Sequence, residues 1–394
     1  MYLSRLLTVA SVAVVGIPAA TLFIECVAAL GNRKRPRVGN DDNPRATILI
    51  PAHNEAAMLP NTLAQLKPHL TENIETVVIA DNCTDETADL ARAAGVNVLE
   101  RTNAIERGKG YALDYGLRSL DGDPPDVILM LDADCTVEAG GVARLIELAH
   151  QSQRPVQGVY LMKSPPEPST KDLVSAFAFT VKNLVRPKGL DTLNQPCLLT
   201  GTGMAFPFDL IRNAPLASGN IVEDMQLGYD LALVGSPPLL APDVLVWGEL
   251  PKETHVAATQ RTRWEHGHIQ TLLTNVPRLL SGALAQRRVD LLSLALDLMI
   301  PPLALLVLIW AGIGAIATFF GIVTGDWVPA ATSGSIGVLL FVGIGVAWMR
   351  FGRQIIAARQ LAAVPLYIAW KVPLYLKFLV SRQKAWVRTE RTPA

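Results

Sequence analysis

Two short stretches of sequence decide the fold: Glu75–Asp81 (ETVVIAD) and Val127–Asp134 (VILMLDAD). Each contains a run of aliphatic residues without polar alternation, and each run ends in aspartate. Such runs are typical of strands that are buried on both faces of a parallel sheet. We therefore expect the aspartates at the carboxyl edge of the sheet, where α/β folds bind their ligands.

Strands and helices alternate around these two stretches. Ala46–Ile50 (ATILI) and Val96–Leu99 predict two further strands. Helical stretches lie between the strands, at Ala56–Leu66, Thr84–Ala94 and Gly108–Ser119. The alternation predicts an α/β domain with a mostly parallel sheet and right-handed crossovers. The sequence contains no G-x-G-x-x-G and no G-x-x-x-x-G-K-[ST] motif, which disfavours a dinucleotide dehydrogenase and a P-loop ATPase.

Composition narrows the class of protein. The chain has 394 residues, of which 50% are hydrophobic and 18% charged, and this balance excludes an intrinsically disordered chain. Lys and Arg number 35 and Asp and Glu also number 35, so there is no basic excess for general nucleic-acid binding. The four cysteines form no C-x-x-C pair, which favours reduced thiols over a zinc ribbon or a disulfide scaffold. A mean hydropathy of +0.29 indicates membrane segments.

Apolar residues are concentrated at the two ends of the chain. Leu6–Leu30 is interrupted only by Glu25. As a helix it reaches about 37 Å, enough to cross a hydrocarbon core of about 30 Å. A signal peptide would have an apolar core of only about 7–15 residues. The basic residues that follow predict that the chain continues in the cytoplasm: Arg33, Lys34, Arg35 and Arg37.

The C-terminal third holds two strong candidate spans and one ambiguous segment. Pro301–Val323 is the first span, and Ile336–Met349 with its flanks is the second. The connection between them carries no Lys or Arg and therefore suits the outside. Leu361–Val380 is long enough to span, but it contains two prolines and two lysines. We expect it to be an interfacial or re-entrant helix whose lysines, Lys371 and Lys377, reach lipid head groups.

These patterns predict four consecutive parts of the chain. Residues 1–44 form a transmembrane helix with a basic cytoplasmic flank, and residues 45–285 form the globular α/β domain with interfacial helices. Residues 286–350 form two transmembrane helices, and residues 351–394 form the interfacial or re-entrant helix and a cytoplasmic tail. The chain is then a multi-pass protein of the cell's inner (cytoplasmic) membrane, with its globular domain on the cytoplasmic face.

Two acidic motifs follow predicted strands. Asp132–Asp134 (DAD) places two carboxylates at a strand end, where they suit Mg²⁺ or Mn²⁺ held together with phosphate oxygens. The alternative is a pair of turn aspartates that accept hydrogen bonds from loop amides. Asp81 can accept hydrogen bonds from a base or a sugar, and the alternative for its loop is an ordinary helix-capping turn.

Two further motifs lie downstream. Glu223 and Asp224 stand before an apolar helix, either as a general base for an acceptor hydroxyl or as charges that favour the helix N-terminus. Gln260–Trp264 (QRTRW) contains arginines whose planar fork suits a diphosphate, although a membrane-surface helix would use the same residues. His266 and His268 are expected at the surface or in caps, and no zinc site is predicted.

In their order and spacing, four motifs resemble those of the membrane-bound family 2 glycosyltransferases, the group of the cellulose, chitin and hyaluronan synthases: Asp81, Asp132–Asp134, Val222–Asp224 and Gln260–Trp264. Pro51–Glu55 (PAHNE) also looks like the P-x-x-N-E of that family. Within the group, the chain looks most similar to bacterial exopolysaccharide glycosyltransferases. The resemblance implies a GT-A nucleotide-diphospho-sugar transferase domain, with a Rossmann-like, mostly parallel sheet, inserted between transmembrane helices.

The resemblance also implies roles for the matching donor-side residues. Glu55 and Asp81 would hold the base and ribose, and Lys109 would lie near the nucleotide. Asp132 and Asp134 would bind the diphosphate and a Mg²⁺ or Mn²⁺ ion. The remaining donor-side contact, to the diphosphate, would come from Arg263.

On the acceptor side, the resemblance implies that Asp224, with Glu223 beside it, deprotonates the acceptor hydroxyl. Five residues would line the acceptor site: Gly201, Thr202, Gly203, Trp264 and Gln260. The C-terminal Trp386–Arg391 (WVRTER) looks like the W-G-T-R motif of hyaluronan and chitin synthases, from which Val387 and Arg388 depart. A gate over the site would then use Trp386, Arg388, Thr389 and Arg391. A basic tail lying on anionic lipid is the alternative.

The predicted function is transfer, with inversion, of a sugar from a nucleotide-diphosphate sugar to a membrane-associated acceptor. A UDP-sugar is preferred over a GDP-sugar as donor. A lipid-linked acceptor that receives one or a few sugars in exopolysaccharide or cell-surface glycan synthesis is preferred over a growing polysaccharide. The alternative is a processive synthase that secretes its polymer with the help of a homo-oligomer or an export partner. A non-catalytic, sugar-nucleotide-binding subunit is the alternative from another class. In each case the protein is expected to interact with the lipid bilayer, and binding of nucleic acid is not expected.

Overall fold

The computed structural model describes residues 2–33, 43–217, 222–249 and 254–380, with backbone alone at 2–3, 254–261 and 379–380. The described residues fall into two compact units. The sheet unit consists of residues 43–165, 196–217, 222–249 and 254–264. The helix unit consists of residues 2–33, 166–195 and 265–380. Residues 166–195 are therefore an excursion of the chain into the helix unit, although the sequence assigned them to the globular domain.

The sheet unit is built on one eight-stranded sheet. Its strands are β1 (Ala46–Ala52), β2 (Ile74–Asp81), β3 (Asn97–Arg101), β4 (Val127–Met130), β5 (Thr136–Val137), β6 (Val156–Lys163), β7 (Met204–Pro207) and β8 (Leu239–Glu249). Their order across the sheet is β3-β2-β1-β4-β7-β6-β8-β5. Four of the neighbouring pairs are parallel: β3 with β2, β2 with β1, β1 with β4, and β6 with β8. The pairs of β7 with β4 and β6, and of β5 with β8, are antiparallel.

The first four strands and the helices between them agree with the sequence pattern. Six helices belong to this unit: Leu59–Leu66, Thr87–Ala93, Lys109–Arg118, Gly141–Ser152, Phe208–Ile211 and Glu223–Leu233. β1, β4 and the last six residues of β2 are almost completely buried, as expected of strands covered on both faces, whereas β3 is partly exposed at the edge of the sheet. Gly116 lets the helix that contains it pack closely on the sheet, because a Cβ there would lie 3.0 Å from Ile79 Cδ1.

The second half of the sheet was not predicted. β8 is the longest strand, with 11 residues, but Pro242 and Asp243 interrupt its apolar run. Its pairing with β6 also shifts register between Gly158 and Val159. β7 has four residues and ends at Pro207. β7 is apolar but too short to show a periodicity, and the apolar run of β8 is broken, so sequence periodicity misses both strands.

The helix unit contains the apolar segments of the chain. Its elements are the helices Tyr2–Ser11, Ile17–Ala28, Thr170–Thr180, Arg186–Thr192, Val289–Leu298, Leu303–Thr324, Val328–Ala347 and Val364–Val380, with π-helical turns at Val12–Gly16, Val181–Val185 and Trp348–Gly352 and a 3₁₀ turn at Ala358–Ala363. A long helix, Thr254–Gln286, contributes its residues from 265 onwards.

Four described helical segments are long and apolar enough to cross a membrane: Ser4–Ala28, Leu303–Thr324, Val328–Gly352 and Ala358–Phe378. The first three coincide with the predicted spans. The fourth overlaps the segment Leu361–Val380 that was expected to be interfacial or re-entrant, and that expectation stays a prediction. The expected role of Lys371 is wrong, however. Its side chain is 2% exposed and forms an ion pair with Glu265, so it is buried among protein groups and does not extend to lipid head groups.

A buried charge cluster joins three separate segments of the helix unit. Arg186 Nε lies 3.0 Å from Asp297 Oδ1, and the same nitrogen lies 3.3 Å from Glu25 Oε2. Arg186 also donates to the backbone oxygen of Asp297 at 2.6 Å. All three side chains are at most 5% exposed. Glu25 and Asp297 belong to no sequence motif, and one guanidinium pairs with both.

Replacing Arg186 by Met should destabilise the protein strongly, because it leaves two buried carboxylates without their cation. Breaking a buried pair in this way costs about 3–5 kcal/mol. We expect a clearly lower thermal unfolding midpoint for R186M in detergent. R92M is the matched control, since Arg92 pairs with Asp89 and Glu100 at an exposed surface and its loss should change little. An R186M protein that unfolds with the wild-type midpoint would contradict this account of the cluster.

Candidate active site

The polar strand ends predicted from sequence do meet at one edge of the sheet. β1 lies between β2 and β4, and all three are parallel. Their carboxyl ends therefore present Glu55, Asp81 and Asp132 along the same edge. Two strand spacings separate β2 from β4, or roughly 10 Å. This span suits a nucleotide whose base lies at β2 and whose diphosphate lies at β4.

Hydrogen bonds join the loops after β1 and β2. Asn54, which has a φ of 54°, donates from Nδ2 to Thr84 Oγ1 at 3.0 Å and accepts from Thr84 N at 2.7 Å. The backbone nitrogen of Glu55 donates to Thr87 Oγ1 at 2.8 Å. His53 Nδ1 lies 2.7 Å from the backbone oxygen of Asp81. The backbone that carries Glu55 is therefore fixed against the strand end that carries Asp81.

The centre of the site is a charge cluster beside the strand end of β4. Lys109 Nζ forms an ion pair with Asp132 and donates to the backbone oxygen of Gly201 at 2.6 Å. Gly201 has a φ of +92°, and a Cβ at this position would lie 3.2 Å from Asp224 Oδ2. Asp132 N in turn donates to Thr202 Oγ1 at 3.0 Å. The structure thus brings together residues of a helix, two loops and a helix N-terminus that are far apart in sequence.

The loop Gly201–Gly203 is held by a residue that the sequence analysis missed. Gln157, 1% exposed in β6, donates from Nε2 to the backbone oxygen of Thr202 at 2.9 Å. Its Oε1 accepts from Thr200 N at 2.8 Å. A glutamine within the apolar run of β6 (VQGVYLM) was the available signal, since a buried amide must find partners. Thr62 acts similarly on the acidic motif, donating from Oγ1 to the backbone oxygen of Ala133 at 2.8 Å.

The residues after β4 fit a divalent cation. The ligand atoms of Asp132, Asp134 and Cys135 all lie within 4.8 Å of one another. Burial and the neighbouring carboxylates raise the pKa of the Cys135 thiol well above its usual range, so the thiol stays protonated and is a poor ligand. Two carboxylates remain, and these are the oxygen ligands that Mg²⁺ and Mn²⁺ prefer.

The site holds more carboxylates than cations. Burial raises the pKa of Asp132 even though Lys109 opposes it. Burial, and then the charge of Asp224, raise the pKa of Glu223 to about 7. Burial lowers the pKa of Lys109, but its carboxylate neighbours, Asp132 first, raise it further, so the ammonium stays charged. An excess of negative charge at this place favours a bound divalent cation.

We expect the pH–rate profile to show the titration of Glu223. The pKa of Glu223 is raised, so between its ordinary value and about 7 it holds a proton that it can share with Asp224. Transfer should therefore rise with pH through about 7. Glu223→Gln removes the competing acid, and the acid limb of the profile should move to lower pH. Rates of wild type and E223Q measured from pH 5 to 9 test this, and superimposable profiles would contradict it.

The remaining predicted site residues belong to the helix Thr254–Gln286 or lie outside the described residues. Arg263 and Trp264 are half-buried residues of the helix Thr254–Gln286, and their roles stay predictions. The side chain of Gln260 and the gate-like residues Trp386, Arg388, Thr389 and Arg391 lie outside the described residues.

The expectation that His266 and His268 lie at the surface or in caps is wrong. They are 2% and 3% exposed, and each ring contacts one backbone carbonyl. Nε2 of His266 lies 3.1 Å from the backbone oxygen of Leu374, and Nε2 of His268 lies 3.1 Å from that of Ile300. These contacts join segments within the helix unit.

Comparisons with known proteins identify a family and agree with the fold. Residues 44–267 match the family described as glycosyltransferase like family 2. A probable glycosyltransferase, YdaM of Bacillus subtilis, is 24% identical over 58% of this chain and 56% of its own length. The poly-beta-1,6-N-acetyl-D-glucosamine synthase of Staphylococcus aureus is 23% identical over 61% of this chain and 58% of its own length. The chain thus spans little more than half the length of these relatives.

A solved structure extends the likeness over nearly the whole chain. The mannosyltransferase PcManGT from Pyrobaculum calidifontis, in complex with GDP-Man and Mn²⁺, matches with a TM-score of 0.55 and 18% identity. The match covers 96% of this chain and 100% of that one. At this identity it shows the fold alone. The GT-A fold and the transferase class that the motifs predicted are confirmed.

Proposed function

Since this chain belongs to glycosyltransferase like family 2, we propose that it transfers a sugar, with inversion, from a nucleotide-diphosphate sugar to a membrane-associated acceptor. The observation that carries the proposal is the cluster in which Lys109 bridges Asp132 and Gly201, with Asp224 beside Gly201. Asp132, the proposed donor-side acid, and Asp224, the proposed base, both lie beside the loop Gly201–Gly203.

Asp132 and Asp134 would hold a Mg²⁺ or Mn²⁺ ion, which, when bound, neutralises charge on the diphosphate. Lys109 and, as a proposal, Arg263 would stabilise the negative charge that grows on the departing diphosphate. Lys109 is already fixed by two acceptors, so little reorganisation is needed during the reaction. Asp132 is oriented by Thr202 and its loop by Thr62.

Asp224 would take the proton of the acceptor hydroxyl. A carboxylate within hydrogen-bond reach of that hydroxyl is what a general base requires. In the proposed mechanism this base acts alone and the enzyme supplies no nucleophile. A single displacement follows, so an α-linked donor gives a β-linked product. The loop Gly201–Gly203, with Trp264 and Gln260, would form the acceptor side.

The proposed acceptor is lipid-linked, in exopolysaccharide or cell-surface glycan synthesis, and the proposed donor is a UDP-sugar. Four described helices with the length and composition of spans support an acceptor at a membrane. We propose the inner membrane, with the sheet unit on the cytoplasmic face, because basic residues follow the first span. Processive synthesis of a secreted polymer, with a homo-oligomer or an export partner, is the second candidate. The relative named poly-beta-1,6-N-acetyl-D-glucosamine synthase favours it.

The fate of labelled sugar separates these candidates. Purified protein would be incubated with radiolabelled UDP-sugars, Mn²⁺ and membrane lipid extract, and the products would be divided into solvent-extractable lipid and insoluble polymer. We expect label in the lipid fraction, with one or a few sugars per lipid. Label in long polymer would favour the processive synthase, and an absence of label from both fractions with every donor would contradict a transferase.

A further inference from the structure

Asp81, at the end of β2, does not present a free carboxylate. Its Oδ1 accepts from Arg101 NH1 at 2.7 Å and from Asn82 Nδ2 at 3.1 Å. A carboxylate oxygen has two lone-pair positions, so both positions of Oδ1 are taken. Among the residues that the structure describes, no group donates to Oδ2. One oxygen of Asp81 is therefore left for a ligand.

Arg101 is held so firmly that a ligand will not displace it easily. Its NH1 also donates to the backbone oxygen of Glu106 at 2.8 Å, and its NH2 donates to Glu106 Oε2 at 3.2 Å. The guanidinium lies over the ring of Tyr111, 5.8 Å from its centroid. The side chains of Arg101 and Asp81 are 9% and 8% exposed, so solvent screens this pair little.

The loop after β3 keeps Glu106 in place for these contacts. Asn103 Oδ1 accepts from the backbone nitrogens of Ile105 and Glu106 at 3.0 and 2.9 Å. Asn103 N donates to Asn82 Oδ1 at 2.8 Å. The same asparagine, Asn82, thus fixes both the loop and one oxygen of Asp81. The geometry that limits Asp81 to one acceptor is built by four side chains.

A single acceptor oxygen discriminates between nucleobases. Uracil and thymine present one ring N–H between two carbonyl oxygens, which matches one carboxylate oxygen. Guanine presents a ring N–H beside an exocyclic amino group, and this pair of donors needs both oxygens of a carboxylate. Cytosine and adenine present a ring nitrogen lone pair next to their amino group, and this lone pair would face the carboxylate. A guanine amino group here would meet an oxygen that Arg101 and Asn82 already occupy.

We infer that Arg101 is a specificity-determining residue, which restricts the nucleotide of the donor to a uracil or thymine base by occupying one oxygen of Asp81. The inference rests on the proposed function, since it takes the Asp81 strand end as the base site. It goes beyond that function in naming the residue that excludes guanine and in extending the donor class to thymine.

Nucleotide binding in the absence of acceptor tests the inference. Labelled UDP bound to the full-length protein in detergent with Mn²⁺ would be displaced by UDP, dTDP, CDP, GDP and ADP. UDP and dTDP should compete alike. GDP, ADP and CDP should be weaker by at least about tenfold, the effect of one unpaired buried donor or acceptor. Equal competition by GDP and UDP would overturn the inference.

Arg101→Met keeps an apolar side chain on Tyr111 and frees one lone-pair position of Asp81. The ratio of the Kd for GDP to the Kd for UDP should fall by at least about tenfold in R101M, mainly because GDP binds more tightly. R92M, the same substitution at an exposed ion pair, should keep the wild-type selectivity. An R101M protein with wild-type selectivity would overturn the inference. If R101M does not fold, competition by the five nucleotides for the wild-type protein is the test of the inference.

The same data separate this inference from the proposed function. Selective binding of UDP without turnover in any acceptor mixture would support the role of Arg101 in base selectivity. It would contradict the proposal that the protein transfers a sugar. Turnover of GDP-sugars as fast as UDP-sugars would support the transferase and overturn the role of Arg101. A protein that binds none of the five nucleotides would contradict both.

Discussion

Asp224→Asn should reduce sugar transfer by about 10²–10⁴-fold, the contribution of a positioned general base. The substitution keeps the size of the side chain and its place at the start of the helix Glu223–Leu233. It removes the negative charge and, with it, the ability to accept a proton. Donor binding should survive, because Lys109 keeps its bonds to Asp132 and Gly201. The measurement is the initial rate of nucleoside diphosphate release at saturating donor.

Asp230→Asn is the matched control for this experiment. Asp230 lies six residues further along the same helix and accepts from Gln226 at 2.9 Å. An asparagine can still accept that hydrogen bond, so the rate of D230N should stay near that of wild type. A D224N protein that keeps more than half of the wild-type rate would remove Asp224 from the role of base.

The second large effect is expected at the metal site. Asp134→Asn should weaken Mn²⁺ binding by at least about 10–100-fold, the range that loss of an outer-sphere partner alone produces. The ion would lose one of its two carboxylate ligands at the end of β4. We would measure the rise in unfolding temperature with added Mn²⁺, with UDP present, and the metal dependence of turnover after chelation.

Asp126→Asn provides the same substitution at the other end of β4. Asp126 Oδ2 accepts from Arg45 N at 2.8 Å, and an asparagine oxygen can replace it. D126N should therefore respond to Mn²⁺ as wild type does. If D134N and wild type are stabilised by Mn²⁺ to the same extent, the acidic motif after β4 does not hold the metal.

The sequence predicts the strands whose apolar residues follow one another without interruption and are buried in the folded chain. β1, β2 and β4 contain apolar runs that are buried in the sheet, and the acids at the ends of β2 and β4 lie at the predicted edge. β7 and β8 could not be predicted from the sequence, because their pairing depends on distant strands and both sequences contain proline. The excursion of residues 166–195 into the helix unit has the same origin, since its place depends on contacts remote in sequence.

For the site, chemistry visible in sequence identified the charged residues but not their supports. Asp132 and Asp224 stand in recognisable motifs, Lys109 was expected from the family resemblance, and the three do come together around Gly201. Gln157 and Arg101 belong to no motif, and their importance follows from hydrogen bonds that only the folded chain forms. Arg186 likewise gains its partners, Glu25 and Asp297, only through packing.

Release of nucleoside diphosphate tests the central claim most directly. Detergent-purified protein would be supplied with a panel of UDP- and GDP-sugars and Mg²⁺ or Mn²⁺, with and without membrane lipid extract, beside D224N. We expect nucleoside diphosphate to be released from a UDP-sugar. This release should require the metal, increase with lipid extract and be lost in D224N. Donor binding without release in every mixture would contradict it and would favour a non-catalytic, sugar-nucleotide-binding subunit.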